Sequence, residues 1–315
     1  YNEFMDLSSK LAGVVTLITP ARFLFRAGST PKKWNEKMLS DQHFKIVDYE
    51  QVSSKIFPNT DIKGGVAISL RDRNKNFGAI ETFTPYPELS SIMKKAAPKD
   101  EKNSLTSCIY IQNKFNLDIL YQDHPKLKNI IGSDGKDKRF RNNIFEKVDA
   151  FTESPTENDD IKVLGLINNK RVWRYIKRKY VDLTHENIFK YKVLVPRSNG
   201  SGALGEVLST PLIGEPLIGY TQTFISIGSF ETKEEAEAAL KYIKSKFART
   251  MLGILKITQD NNKATWAKVP LQDFTSNSDI NWTQSISEID EQLYKKYNLS
   301  KEEINFIESK VKEMK

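Results

Sequence analysis

The sequence predicts an incomplete α/β sheet followed by a mixed α+β, strand-rich unit that ends in helices. Three observations lead there. Up to about Leu70, helical and strand-like stretches alternate as helix, strand, helix, strand, strand, the order of the tail of an α/β sheet. From Leu105 onward, short apolar runs are separated by long polar intervals, notably Gly132 to Asn143 and Glu153 to Asp160. Two later stretches combine a helix-start signal with apolar residues at helical spacing.

In chain order, Tyr1 to Leu11 reads as a helix with Phe4, Leu7 and Leu11 on one face. Val14 to Ile18 is a largely apolar run, the pattern of a strand buried on both sheet faces. Thr30 can cap the next helix, Pro31 suits its first position, and Trp34, Met38 and Leu39 give its apolar side. Phe44 to Tyr49 and Val66 to Leu70 read as further strands. Ala97 to Asn103 is a charged, proline-containing stretch suited to a linker. Beyond it, strand-like runs fall at 108–111, 161–167, 192–195 and 223–227. Thr232 and Glu235 open a helix with Ala236, Leu240, Ile243, Phe247 and Ile254 on its apolar side. Ser300 and Glu303 open another, with Ile304, Ile307 and Val311 as the stripe to be buried.

The 315 residues suffice for a sizeable core and for two domains. No apolar run approaches the roughly twenty residues that a membrane span needs. No basic-then-apolar leader precedes the first helix, and a chain beginning at Tyr1 reads as a fragment or processed product. A single cysteine, Cys108, excludes an internal disulfide and fits a reducing cytoplasm. With only His43, His124 and His185 besides, no zinc-ligand spacing exists and no metal site is expected. A net charge of +8 favours a polyanionic partner.

Several groups could carry chemistry. Phe57-Pro58 lies in a loop before a strand, where an aromatic face can hold a base taken out of its stack. Lys170 to Tyr180, KRVWRYIKRKY, sets Lys170, Arg171, Arg174, Lys177 and Arg178 among aromatic residues. As a helix it would align Lys170, Arg174, Lys177 and Arg178 along one side and neutralise phosphates. Ser198 to Gly205, SNGSGALG, reads as a flexible loop whose backbone could approach phosphates, although it lacks the ending of a nucleotide-binding P-loop. Arg197 beside it could reach a base edge, and Arg22 and Lys63 could touch a substrate backbone. Asp159-Asp160-Ile161-Lys162 is the nearest string to an acidic-lysine nuclease core, with no partner carboxylate identifiable.

Two stretches, TLITPARFLFRAGSTPKKWNEKML (16–39) and IFPNTDIKGGVAI (56–68), resemble the later half of the catalytic domain of adenine-specific DNA methyltransferases. The likeness is greatest to fused restriction–methylation enzymes of type IIG. The stretches KATWAKVPLQDFTSNSDINW (263–282) and IDEQLYKKYNLSKEEINFIE (289–308) are similar to the tail of those enzymes' target-recognition region. Between 71 and 255 the likeness is looser. The resemblance implies that residues 1–85 form the C-terminal half of a Rossmann-like methyltransferase domain, 86–275 a DNA target-recognition domain, and 276–315 a helical tail. It implies that Phe57 stacks on a flipped adenine, that Thr19, Pro20 and Pro58 shape the pocket, and that the partner is double-stranded DNA with a specific site.

It also implies what the chain lacks. The family's glycine loop for S-adenosylmethionine and its Asn-Pro-Pro-Tyr loop have no counterpart here, since Asn59 precedes Thr60 rather than two prolines. S-adenosylmethionine is therefore expected only in a longer protein, magnesium only with an attached nuclease domain, and no methylation by this chain alone. A stand-alone DNA specificity module serving a separate catalytic subunit is the alternative. A small-molecule methyltransferase or other α/β enzyme fits the basic charge less well.

Overall fold

A computed structural model describes residues 1–132, 138–184 and 186–314. It begins with α1 (Asn2–Leu11), β1 (Val14–Pro20), α2 (Lys32–Ser40), β2 (Phe44–Glu50) and β3 (Val66–Asp72). The three strands form one sheet in the order β1-β3-β2. β3 is antiparallel to both neighbours, so β1 and β2 run parallel to each other on either side of it. No two adjacent strands of this sheet are parallel, and a Rossmann-like parallel sheet is not formed by the described residues.

One face of the sheet is closed by the chain itself. Phe44, Ala67, Leu17, Ile46 and Tyr49 pack there against Phe23, Trp34, Met38 and Leu39, with Met5 of α1 joining the cluster. The opposite face is not closed. Val14 and Ile18 of β1 are 57% and 53% exposed, and Val47 of β2 is exposed as well. The expectation of a strand buried on both faces is thus corrected: β1 is an edge strand, bonded to β3 alone, with one bare face. α1 forms as expected, but Phe4, Leu7 and Leu11 point outward, with Leu11 78% exposed. Its contact with the core is through Met5. α2 starts one residue later than expected. Pro31 is its cap residue, and the Thr30 hydroxyl donates to Asn35 Oδ1 at 2.6 Å instead of capping the backbone.

The chain then enters α3 (Pro87–Ala96), whose Leu89, Ile92 and Ala96 belong to a different and larger core. After the 97–103 stretch come β4 (Ile109–Tyr110), α4 (Leu117–Asp123), α5 (Lys128–Ile131) and α6 (Ile144–Lys147). β5 (Ile161–Ile167) and β6 (Lys170–Ile176) form a hairpin, followed by β7 (Tyr191–Pro196), β8 (Leu212–Gly214), β9 (Ile218–Tyr220) and β10 (Phe224–Phe230). They make two sheets, β4-β10-β7-β8 and β6-β5-β9. Leu164, Leu194, Tyr220 and Phe224 join them across a small apolar contact.

The helix expected from Thr232 onward is two helices, α7 (Lys233–Lys244) and α8 (Lys246–Gly253). The break falls at Ser245, whose hydroxyl caps α8 by accepting from Ala248 N–H. α9 (Ile286–Lys296) and α10 (Lys301–Lys310) follow, each with a complete capping box, Ser285/Glu288 and Ser300/Glu303. Ile307 and Val311 are buried as expected, in one core with Ile289, Leu293, Phe247 and Trp266. Among the described residues no helix is long and apolar enough to cross a membrane.

Candidate nucleic-acid interface

The stretch from Lys170 to Tyr180 is not a helix. Lys170–Ile176 is strand β6, paired with β5 from Ile161↔Ile176 to Ile167↔Lys170. Helix formation loses because β-branched and aromatic residues (Val172, Trp173, Tyr175, Ile176) sit opposite the apolar strand Ile161–Ile167, where a pleated partner buries them. The basic residues are redistributed in consequence. Strand alternation sends Lys170 and Arg174 to one face and Arg171, Trp173 and Tyr175 to the other.

Three of the expected phosphate contacts are answered by carboxylates of the chain itself. Arg174 pairs with Glu153 at 2.9 Å, Lys177 with Glu157 at 2.6 Å and Arg178 with Asp159 at 3.8 Å. Lys170 has no ion-pair partner among the described residues and is exposed at the hairpin turn. Arg171 lies over the Phe224 ring, 5.6 Å from its centre, and its guanidinium donates to Ser209 O and Thr210 O. Burial pulls its pKa below the ordinary arginine value, but neutral acceptors leave the positive charge unanswered.

Arg171 and Arg197, far apart in sequence, line one groove of about 540 Å³. Arg197 continues β7 and holds a loose contact with Asp260 at 3.3 Å, both side chains being nearly half exposed. Phe224 and Arg197 also line a second cleft of about 780 Å³ that includes Arg26, Lys32, Lys99 and Lys263. The two hollows meet at these shared residues. Between them they are lined by Arg26 and Lys32 of the N-terminal unit and by Asn169 and Arg171 of the β5–β6 hairpin, and this basic channel also carries the carboxylates Asp100, Glu101 and Asp260. Sequence reasoning missed Arg26, Lys32, Lys99 and Lys263, because single exposed cations in loops carry no pattern that separates them from ordinary surface charge.

Phe57 sits in a turn built by Ser53, whose buried hydroxyl accepts from Ile62 N–H at 2.8 Å and donates to Thr60 O at 3.2 Å. Phe57 N–H donates to Ser53 O, and the Thr60 hydroxyl donates back to Phe57 O at 2.7 Å. The backbone is thus held from both sides while the ring remains 40% exposed. Asn59, next to Pro58, takes a left-handed φ of 66° to close the turn. Thr19 is buried with its hydroxyl oxygen unpartnered, and Pro20 ends β1 beside Val66. Lys63 pairs with Asp61 at 2.6 Å. Arg22 packs along Gly28 and Gly64, so it braces the turn from inside.

Neither glycine-rich stretch fits S-adenosylmethionine. A Cβ at Gly64 would meet Arg22 Cγ at 2.5 Å, and one at Gly65 would meet Glu50 O at 2.4 Å, so these glycines admit the chain's own atoms. In the 198–205 loop, the backbone amides of Ser201, Gly202 and Ala203 all donate to the Glu206 carboxylate. The expectation of a flexible, phosphate-approaching loop is corrected accordingly: an internal carboxylate occupies the amide nest. Lys256, buried beneath it, donates to Asn199 O at 2.9 Å and stands 3.8 Å from Glu206.

The Asp159–Lys162 string is likewise no nuclease core. Glu157, Asp159 and Asp160 lie close together, but Asp160 Oδ2 accepts from Thr156 and Glu157 N–H groups. Lys162 instead lies over the Trp173 ring at 4.6 Å. His185 lies outside the described residues.

The clefts carry arginine, lysine and amide side chains together with the carboxylates Asp100, Glu101 and Asp260, and the excess of cations there is the chemistry of a nucleic-acid interface. No protein-family model matches the chain, and no curated protein does. Among solved structures, the chain is similar to the type IIG restriction endonuclease BpuSI at a TM-score of 0.32 and 11% identity, covering 98% of this chain and 49% of that one. The chain thus spans about half the length of that neighbour. At this score the likeness carries no argument about function, which rests on the residues above.

Proposed function

We propose that the chain is the DNA-recognition and base-pocket part of a site-specific, adenine-specific DNA methyltransferase within a restriction–modification protein. The observation that carries the reading is the basic channel in which Arg171 and Arg197 meet Arg26, Lys32, Lys99 and Lys263. Cations along a concave wall track phosphates, and they set register rather than sequence. Phe57 supplies the face on which an extruded adenine stacks, with Thr19, Pro20 and Pro58 shaping the surrounding pocket.

The bare face of β1 and the outward stripe of α1 support the view that residues 1–85 are half of a larger sheet. Phe4, Leu7 and Leu11 on α1 and Val14 and Ile18 on β1 are exposed apolar residues, and β1 is an unpaired strand edge of the kind that proteins ordinarily cover. S-adenosylmethionine, the methyl donor, would be held by residues that this chain does not contain. Residues 86–275 act as the recognition domain, and 276–315 buttress it through α9 and α10.

The test is selection of bound sequences from randomised duplex DNA by the purified chain. One enriched motif containing adenine is expected. Binding without enrichment would remove the recognition role, and no binding at low salt would remove the DNA reading.

A further inference from the structure

The β5–β6 hairpin turns through Asn168 and Asn169, both with positive φ (50° and 60°), between the paired residues Ile167 and Lys170. Two left-handed residues in a two-residue loop are the signature of a type I′ turn, and asparagine is favoured there for backbone reasons alone. That accounts for the residue type at the turn. It does not account for where the tip is placed: Asn169 and Arg171 line one groove together with Gln222 and Arg197. The side chains of Asn169 and Gln222 make no hydrogen bond within the described residues, although both line the hollow.

Resting on the DNA reading above, we propose that this hairpin is the element that enters the major groove, and that Asn169 and Gln222 read base edges there. A two-stranded ribbon fits the width of the major groove. Amide side chains match the paired donor and acceptor of adenine. Lys170, exposed at the tip without an ion-pair partner, contacts phosphate and carries no base information. Arg171, anchored on Phe224 and on the carbonyls of Ser209 and Thr210, fixes the ribbon's approach.

The experiment separates turn from readout. Asn169→Gly keeps a residue that favours positive φ and removes only the amide. Selection from randomised duplex should then show preference at one adenine position falling by roughly ten- to a hundred-fold. Binding to non-specific duplex and its salt dependence should stay unchanged. Lys170→Ala should do the reverse, weakening all duplexes alike and lowering the salt slope by about one. Thermal melting checks that both variants fold. If Asn169→Gly retains the wild-type preference at every position, the hairpin is not the reader and the inference falls while DNA binding stands. Failure of the wild-type chain to bind any duplex would overturn the functional reading and the inference with it.

Discussion

The first and last helices of the chain carry the same sequence signal and meet opposite fates. α1 has Phe4, Leu7 and Leu11 at helical spacing, and α10 has Ile304, Ile307 and Val311. In α10 the stripe is sealed against α3 and α8, with Ile307 at 0% exposure. In α1 it faces outward, and Leu7 is 54% exposed. Periodicity specifies which face of a helix is apolar. It does not specify that anything covers that face. The two halves differ in the same way: the C-terminal core closes on itself, whereas the N-terminal sheet is closed on one face only.

The stability of point variants should divide along that line. Ile307→Ala should cost about 2–5 kcal/mol, the range for removing buried aliphatic bulk. Leu7→Ala should stay within about 0.5 kcal/mol, as for ordinary surface changes. Chemical denaturation of both variants measures this, and an equal loss in each would mean that α1 is buried in solution, by self-association or otherwise.

Buried and exposed cations sharpen the contrast. Lys192 is fully buried in β7, donating to Glu215 O and Ile218 O, and burial pulls its pKa down to about 7. Because the folded pKa lies below the unfolded one, the unfolded chain binds more protons between them. Its contribution therefore opposes folding fully below pH 7 and is relieved as pH rises toward the ordinary lysine value, by up to about 1.4 kcal/mol per pH unit. Lys192→Met should flatten the rise of stability across that window. A rise unaltered by the substitution would show that other groups cause it.

A smaller effect is expected at Phe57. Phe57→Ala should weaken binding to duplex containing an unpaired adenine by about 1–3 kcal/mol, the worth of one base–aromatic stack. Fully paired duplex should be little affected. Equal effects on the two DNAs would remove the stacking role. Smallest of all should be Lys177→Ala, since Glu157 already engages that ammonium at 2.6 Å and the hydrogen bond raises its pKa. Its loss should leave duplex affinity nearly unchanged, and a large drop would mean that DNA displaces Glu157.

Much of the fold was legible where pattern and environment agree. The strand runs at 44–49, 66–70 and 161–167 and the box at Ser300/Glu303 follow from apolar runs and cap residues alone, and the first two strands extend by one and two residues beyond them. The misreading of Lys170–Tyr180 has a physical cause. Basic and aromatic residues in that order satisfy a helical stripe, and only the partner strand β5 decides for a sheet. The SNGSGALG loop was misread because Glu206, which fills its amides, lies just outside the glycine string. At the candidate site, Arg171 and Arg197 were legible as basic residues. Their meeting across Phe224 was not, because it depends on two separate sheets packing together.

The central claim is that the cations gathered in the channel, rather than the cations of the 174–178 stretch, bind phosphate. Salt titration of duplex binding by the wild-type chain and by the Arg171→Ala/Arg197→Ala double variant tests it most directly. The account predicts wild-type affinity that falls steeply with salt and a slope lower by about two in the double variant. A slope unchanged in the double variant, or no salt-dependent binding by the wild type, would contradict it.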